Sequence, residues 1–172
     1  ADVGDVVRTV IVDGTMSCRM RRDKLVTTEK MQAGDVIVSL ASYGQASYED
    51  QYNSGMGSNG LTSARHEMLN KIYKSKYPES VDPNLPEEVV YNGKYLLTDP
   101  TSTPLNVGKM ILSPTRTYAP VILQILQKHF DKIHGIIHCS GGGQTKCLKY
   151  IPDQLRIVKD NLFPIPDVFR LI

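Results

Sequence analysis

Long hydrophobic runs are missing from this chain. No apolar stretch approaches the ~20 residues needed to span a bilayer, and polar residues 1–5 lack the charged start and apolar core of a secretory leader. No membrane partner is therefore expected. Cysteine is scarce: Cys18, Cys139 and Cys147 are odd in number and scattered. That argues against a disulfide framework and for reduced thiols in a cytoplasmic protein. Charge of one sign is not in excess, since 20 Lys and Arg oppose 18 Asp and Glu for a net +2. With no basic stripe interleaved with aromatics, no nucleic-acid partner is expected. The most basic patch, Arg19, Arg21, Arg22 and Lys24, reads as a solvated loop. Neither a Walker loop nor the dinucleotide fingerprint G-x-G-x-x-G is present.

What is present suits one globular domain. The 172 residues, 41% hydrophobic and 22% charged, are enough to bury about 70% of the surface of the unfolded chain. Residues 133–147, I-H-G-I-I-H-C-S-G-G-G-Q-T-K-C, read as strand, glycine-rich loop and helix start. Three glycines admit positive φ and let amides approach a ligand, and a helix N-terminus adds partial positive charge. A phosphate is one guest for Ser140, Gly141, Gly142 and Gly143, with His138 at the rim. A plain strand-to-helix corner is the other reading. Zinc is disfavoured. A strand puts His134 and His138 on one face but turns Cys139 away, and no C-x-x-C accompanies them.

Elsewhere the pattern yields strands at residues 6–12 and 36–41 and a long Gly/Ser/Asn/Tyr loop over residues 42–60. Leu61, Ala64, Met68, Leu69, Ile72 and Tyr73 then form a helical stripe, with Arg65, Glu67, Lys71 and Lys74 outward. Ser58 or Asn59 is the expected N-cap, and Pro78 the stop. This gives a second glycine corner at a helix start, where Ser58, Asn59, Gly60 and Thr62 supply donors. Residues 89–97 carry Asn92-Gly93 between apolar runs, a hairpin signal, while Pro86-Glu87-Glu88 equally suits a first helical turn. Val121, Ile122, Ile125, Leu126 and His129 mark another helix. Arg116 precedes it, placed to fork onto a phosphate or a carboxylate, although such an arginine is more often a member of a surface ion pair. Residues 155–159 alternate as a strand with one wet face, and residues 163–166 are extended. The order of elements predicts an α+β (mixed α/β) fold, a sheet covered by helices.

Taken in order, G-D-V-I-V-S-L-A-S (34–42), G-S-N-G-L-T-S-A-R (57–65), L-S-P-T-R-T-Y (112–118), I-H-G-I-I-H-C-S-G-G-G (133–143) and F-P-I-P-D-V-F-R-L-I (163–172) resemble the phosphoribosylformylglycinamidine cyclo-ligases, or aminoimidazole ribonucleotide synthetases. The motifs cover most of the chain, leaving out chiefly residues 43–56 and 78–110. The resemblance implies a C-terminal synthetase-type domain at residues 31–172, truncated at its end. Residues 1–30 would be the end of a preceding ATP-binding domain and a linker. It further implies an enzyme of de novo purine synthesis that uses ATP to activate the formyl oxygen of formylglycinamidine ribonucleotide and close it to aminoimidazole ribonucleotide. ATP and Mg²⁺ would be held mainly by the N-terminal domain, in a full-length homodimer, and the isolated piece would be inactive.

Two departures stand out. Lys146, Cys147 and Tyr150 fall where the family carries Glu, Asn and Arg, and the regions before Gly57 and over 78–110 are longer than in many relatives. Other members of the superfamily would share the fold: selenophosphate synthetase, thiamine-monophosphate kinase and formylglycinamidine ribonucleotide synthetase. A non-catalytic ligand-binding relative is the reading from a different class. A ligand held by both glycine corners requires them to face one another across one cleft, with His138 available for hydrogen bonding or proton transfer.

Overall fold

The computed structural model describes residues 14–172. The strand expected at residues 6–12 lies outside them. The described chain is helix-rich with little strand. Its β pairing consists of three isolated bridges, Gly44 with Asn53, Leu69 with Tyr95 and Pro100 with Asn106. No described helix is long and apolar enough to cross a membrane. The residues fall into two compact units, one comprising residues 41–116 and 164–172 and the other residues 15–40 and 117–163.

The first unit holds the buried core. Helix α1 (Leu61–Met68) starts at Gly60, whose φ of 81° puts it in the left-handed region. Neither Ser58 nor Asn59 is the cap, and no side chain bonds the first turn. The expected single helix up to Pro78 is in fact two. Leu69 turns extended, ψ 146°, and the chain re-enters helix only at α2 (Ile72–Lys76). The break has a tertiary cause. Tyr95 N–H donates to Met68 O at 3.0 Å, Gly93 N–H to Leu69 O at 3.1 Å and Asn70 N–H to Tyr95 O at 3.0 Å, bonds that a continuing helix would forfeit. Ala64, Met68, Leu69 and Tyr73 are buried as the stripe predicts, whereas Ile72, beyond the break, is 54% exposed.

Residues 89–97 do not form a hairpin. Glu87–Val89 make one 3-10 turn behind Pro86, and the following segment lies along α1 instead. Val90, Tyr91, Met68, Leu69, Tyr73, Val81, Val107 and Ile111 then make one apolar cluster. His66, on α1, is buried with them, its ring 4.8 Å from that of Tyr91, and Tyr91 N–H donates to its Nδ1 at 3.4 Å. Helix α3 (Val107–Ile111) is capped by Asn106, which accepts the Lys109 amide at 2.9 Å. Its Met110 joins Met56, Ala64, Leu105 and Val168 in a second cluster. Val168 comes from the short helix α5 (Asp167–Leu171), after the extended residues 163–166.

The second unit contains α4 (Ala119–His129), with Pro120 in its first turn. Val121, Ile122, Ile125 and Leu126 are half-buried on one side, as their spacing predicts, and His129 is exposed. Residues 36–40, 133–139 and 155–159 run without ladder partners among the described residues, and Val36 and Val38 are 85% and 79% exposed. The alternation over 155–159 survives as alternating exposure, Leu155 and Ile157 in and Arg156 and Val158 out. A strand's backbone groups need a neighbour to pair with. None of the described segments supplies one here.

Candidate functional site

The first corner is set by a zipper between two stretches of the first unit. Ser54 N–H donates to Ser113 Oγ at 3.0 Å, and Ser54 Oγ–H to Met110 O at 2.7 Å. Asn53 Nδ2 donates to Pro114 O at 2.9 Å while its Oδ1 accepts the Gly55 amide at 2.8 Å. Gly57, φ 64°, passes so close to Thr115 that a Cβ there would lie 3.1 Å from Oγ1. Both Asn53 and Ser54 are buried. The zipper delivers the chain to Ser58, Asn59 and Gly60, all exposed at the start of α1, with Thr62 half-buried in its first turn.

Arg116 closes the zipper. Its Nε and Nη2 donate to the two carboxylate oxygens of Glu49 at 2.7 and 2.8 Å. Nη1 donates to the carbonyls of Ala41 and Tyr43 at 2.8 and 3.0 Å, and Nη2 also to that of Gly44 at 2.7 Å. All five N–H groups of the guanidinium are thereby used. The side chain is 7% exposed, that of Glu49 16%. Arg116 is thus a member of an ion pair within the chain, though a buried one and not a surface one, and its fork is taken by Glu49. Sequence reasoning missed Glu49, an acid in a long loop with no periodicity to mark it. The one available signal was the length of that loop. Arg116 holds the Glu49 carboxyl below its ordinary range, with help from the Ala46 amide, against the upward push of burial.

The second corner belongs to the second unit. Gly142 and Gly143 adopt φ of 82° and 50°, conformations that suit glycine, and lead into a 3-10 helix, Gly143–Lys149, in place of the expected α-helix. Gly143 N–H donates to Ser140 O at 3.4 Å, and Thr145 Oγ–H to Gly142 O at 3.0 Å. The Lys159 ammonium donates to the Gln144 carbonyl and, at 3.0 Å, to its side-chain oxygen. Ser140 is exposed, and Lys146 packs over Gly142.

Two histidines lie on the segment before this corner. His138 is exposed, its ring edge-on to Tyr118 with centroids 6.2 Å apart. His134 Nδ1 lies 2.9 Å from both carboxylate oxygens of Asp35. The Asp35 carboxyl is held low first by the Gln32 amide, which donates to Oδ2 at 3.0 Å, and next by His134. Among the described residues no three His, Cys, Asp or Glu side chains gather as metal ligands. Cys18 and Cys139 are exposed thiols, and Cys147 is half-buried.

No family model matches the chain. It is similar to curated proteins named phosphoribosylformylglycinamidine cyclo-ligase. The protein of Methanocaldococcus jannaschii is 28% identical over 173 residues, covering 100% of this chain and 40% of the relative. That of Pseudothermotoga lettingae is 27% identical over 155 residues, covering 89% and 35%. That of Methanopyrus kandleri is 32% identical over 147 residues, covering 86% and 32%. The chain therefore spans about two fifths or less of the length of these relatives. The resemblance carried by the five motifs extends along nearly the whole chain, to relatives that share one name.

Proposed function

We propose that this chain is the C-terminal, synthetase-type part of an ATP-dependent cyclo-ligase that closes formylglycinamidine ribonucleotide to aminoimidazole ribonucleotide, releasing ADP and phosphate. The observation that carries the reading is the run of similarity to cyclo-ligases over 86–100% of the chain. On this reading residues 31–172 are the domain and residues 1–30 the end of a preceding one. The finer architecture is α+β: the extended segments 36–41, 133–139 and 155–159 join a helix-covered sheet in the complete protein. That protein works in the cytoplasm as a homodimer on a small-molecule substrate, with neither nucleic acid nor membrane as partner.

The described residues do not fit a Mg²⁺–ATP site. They hold no cluster of metal ligands, and their glycine corners lack the Walker spacing. On the family reading, ATP and Mg²⁺ are held mainly by the N-terminal domain of the full-length protein, where the formyl oxygen would be activated. This chain's part is to bind and orient. In the first unit Ser58, Asn59, Gly60 and Thr62 at a helix start are hydroxyl and amide donors suited to a substrate phosphate, and in the second unit Ser140, Gly141, Gly142 and Gly143 are a separate set of such donors. His138, exposed beside the second corner, hydrogen-bonds the reacting group or moves its proton. Arg116 serves from behind by fixing the first corner. In phosphoryl chemistry most of the catalysis is positioning and charge stabilisation, so a domain rich in donors and poor in bases is a sensible half of a site.

The test is turnover of formylglycinamidine ribonucleotide by the full-length protein, as wild type and as Asn59→Ala and His138→Ala. The reading expects wild-type turnover and a fall of at least about tenfold in kcat/KM for each variant, equal to about 1.4 kcal/mol. Absence of wild-type turnover refutes it, and would favour another ATP-dependent member of the superfamily. The second reading, a non-catalytic ligand-binding relative, draws on Lys146, Cys147 and Tyr150 standing where the family carries Glu, Asn and Arg. It expects ligand binding without turnover.

A further inference from the structure

We infer that Glu49 is a positioning residue for the first glycine corner, acting through Arg116, and that it sets affinity for the phosphorylated substrate without touching it. The inference rests on the cyclo-ligase reading above and adds to it a residue from the segment 43–56 that the family-like motifs leave out.

The loop over residues 41–57 is anchored at two places to the stretch Ser113, Pro114, Thr115 and Arg116. One anchor is the Asn53, Ser54 and Gly57 side of the zipper, next to the corner itself. The other is the guanidinium, which gathers Ala41, Tyr43 and Gly44. Gly44 and Asn53 then pair with each other through two backbone bonds of 2.9 Å, joining the anchors. Glu49 is the hub inside that closed loop. It accepts from Arg116 twice and from Ala46 N–H at 2.7 Å, and its own amide donates to Ala46 O at 3.0 Å.

Removing the carboxylate leaves two N–H groups of a buried guanidinium without acceptors. A buried charge in that state draws in water or moves toward a new partner. Either response releases the carbonyls of Ala41, Tyr43 and Gly44 and, through the Gly44–Asn53 pair, loosens the zipper that holds Gly57. Ser58 follows Gly57 directly. A ligand clamp misplaced by about 1 Å costs up to about 10²-fold, so a residue in the loop behind it acts on the substrate at a distance.

The experiment uses the full-length protein, as wild type, Glu49→Ala and Glu49→Gln. It measures kcat, KM for formylglycinamidine ribonucleotide, KM for ATP and the thermal midpoint. The expected result is a split. For Glu49→Ala, KM for formylglycinamidine ribonucleotide rises about tenfold or more, while KM for ATP stays within about twofold. Glu49→Gln, which keeps the shape and one acceptor, recovers part of the loss. Where the alanine variant does not fold, the glutamine variant decides by the same split. Unchanged KM values overturn the inference, as does a uniform fall in all parameters with the thermal midpoint, which would make Glu49 structural only. A wild type without turnover removes the cyclo-ligase reading and this inference together. An active wild type with indifferent variants removes this inference alone.

Discussion

Gly93 and Met68 touch backbone to backbone: a Cβ built on Gly93 would lie 2.0 Å from both the carbonyl carbon and the oxygen of Met68, and 2.4 Å from Glu67 O. Neither neighbour is a flexible side chain. The contact sits where α1 ends and the chain pairs with residues 93–95, so an added methyl must push two backbones apart. Overpacking typically costs ~1–3 kcal/mol and more where nothing can yield. Gly93→Ala is accordingly expected to lose about 3 kcal/mol or more in urea unfolding. Gly14→Ala, with nothing within 4 Å, should stay within about 0.5 kcal/mol. Equal midpoints for the two variants would contradict the contact.

That same contact marks what could and could not be read in the sequence. The spacing of Ala64, Met68, Leu69 and Tyr73 gave away the buried face, because apolar periodicity follows local geometry. The break at Leu69 did not show, since its cause is pairing with Tyr95, a tertiary event. Asn92-Gly93 pointed to a hairpin because the dipeptide permits one, but Gly93 is needed for closeness and not for a turn. At the candidate site both glycine corners were visible, their positive φ at Gly60, Gly142 and Gly143 being what glycine is for. The cap of the first was misread, as neither Ser58 nor Asn59 bonds its first turn. Glu49 and His66 could not be found, because a polar residue is buried by partners distant in the chain. The apolar segments 36–40 and 155–159 read as strands, and a strand's identity lies in a neighbour that local pattern does not supply.

Met110 is fully buried, and its carbonyl accepts from Ser54, so it ties the second apolar cluster to the zipper behind the first corner. Met110→Ala should cost about 2–5 kcal/mol. Leu112, two residues on and 77% exposed, should tolerate alanine within about 0.5 kcal/mol. Chemical denaturation of the two variants checks the contrast. A Met110→Ala loss below that of Leu112→Ala would mean the site collapses freely around the missing side chain.

Glu49 also predicts a pH dependence of stability. Its carboxyl titrates below its ordinary value in the folded state because Arg116 and the Ala46 amide bond the charged form. A depressed folded pKa means that the unfolded chain takes up the proton first. The contribution is complete above the unfolded pKa, near 4.3, and is lost as pH falls through the lower folded value. Wild type should therefore lose stability on acidification through this window more steeply than Glu49→Gln. At pH 7 the variant should be about 1–2 kcal/mol less stable, because the partly buried guanidinium loses a charged acceptor and keeps a neutral one. Urea titrations from pH 7 to pH 3 measure both quantities. Parallel curves would show that the pair does not titrate with folding.

Asp35 and His134 make a pair of another kind, joining segments 99 residues apart at a place where each side chain is 31% exposed. Exposure leaves such a pair screened by solvent, so its worth lies in fixing geometry more than in stability. The causes of the low Asp35 carboxyl rank the Gln32 amide ahead of His134, with burial opposing both. His134→Ala should therefore raise the Asp35 pKa only part of the way, leaving it below the free aspartate range near 3.9. The depressed value contributes stability above the unfolded pKa that disappears as pH falls through the folded one, so the variant should be less stable than wild type mainly above about pH 4, the two converging as pH falls further. A ¹³C titration of the Asp35 carboxyl in the two proteins measures the shift directly. A full return to the free value in His134→Ala would show that the imidazole, and not the turn at residues 32–35, holds the carboxylate, making the histidine the member that orders the segment leading to the second glycine corner.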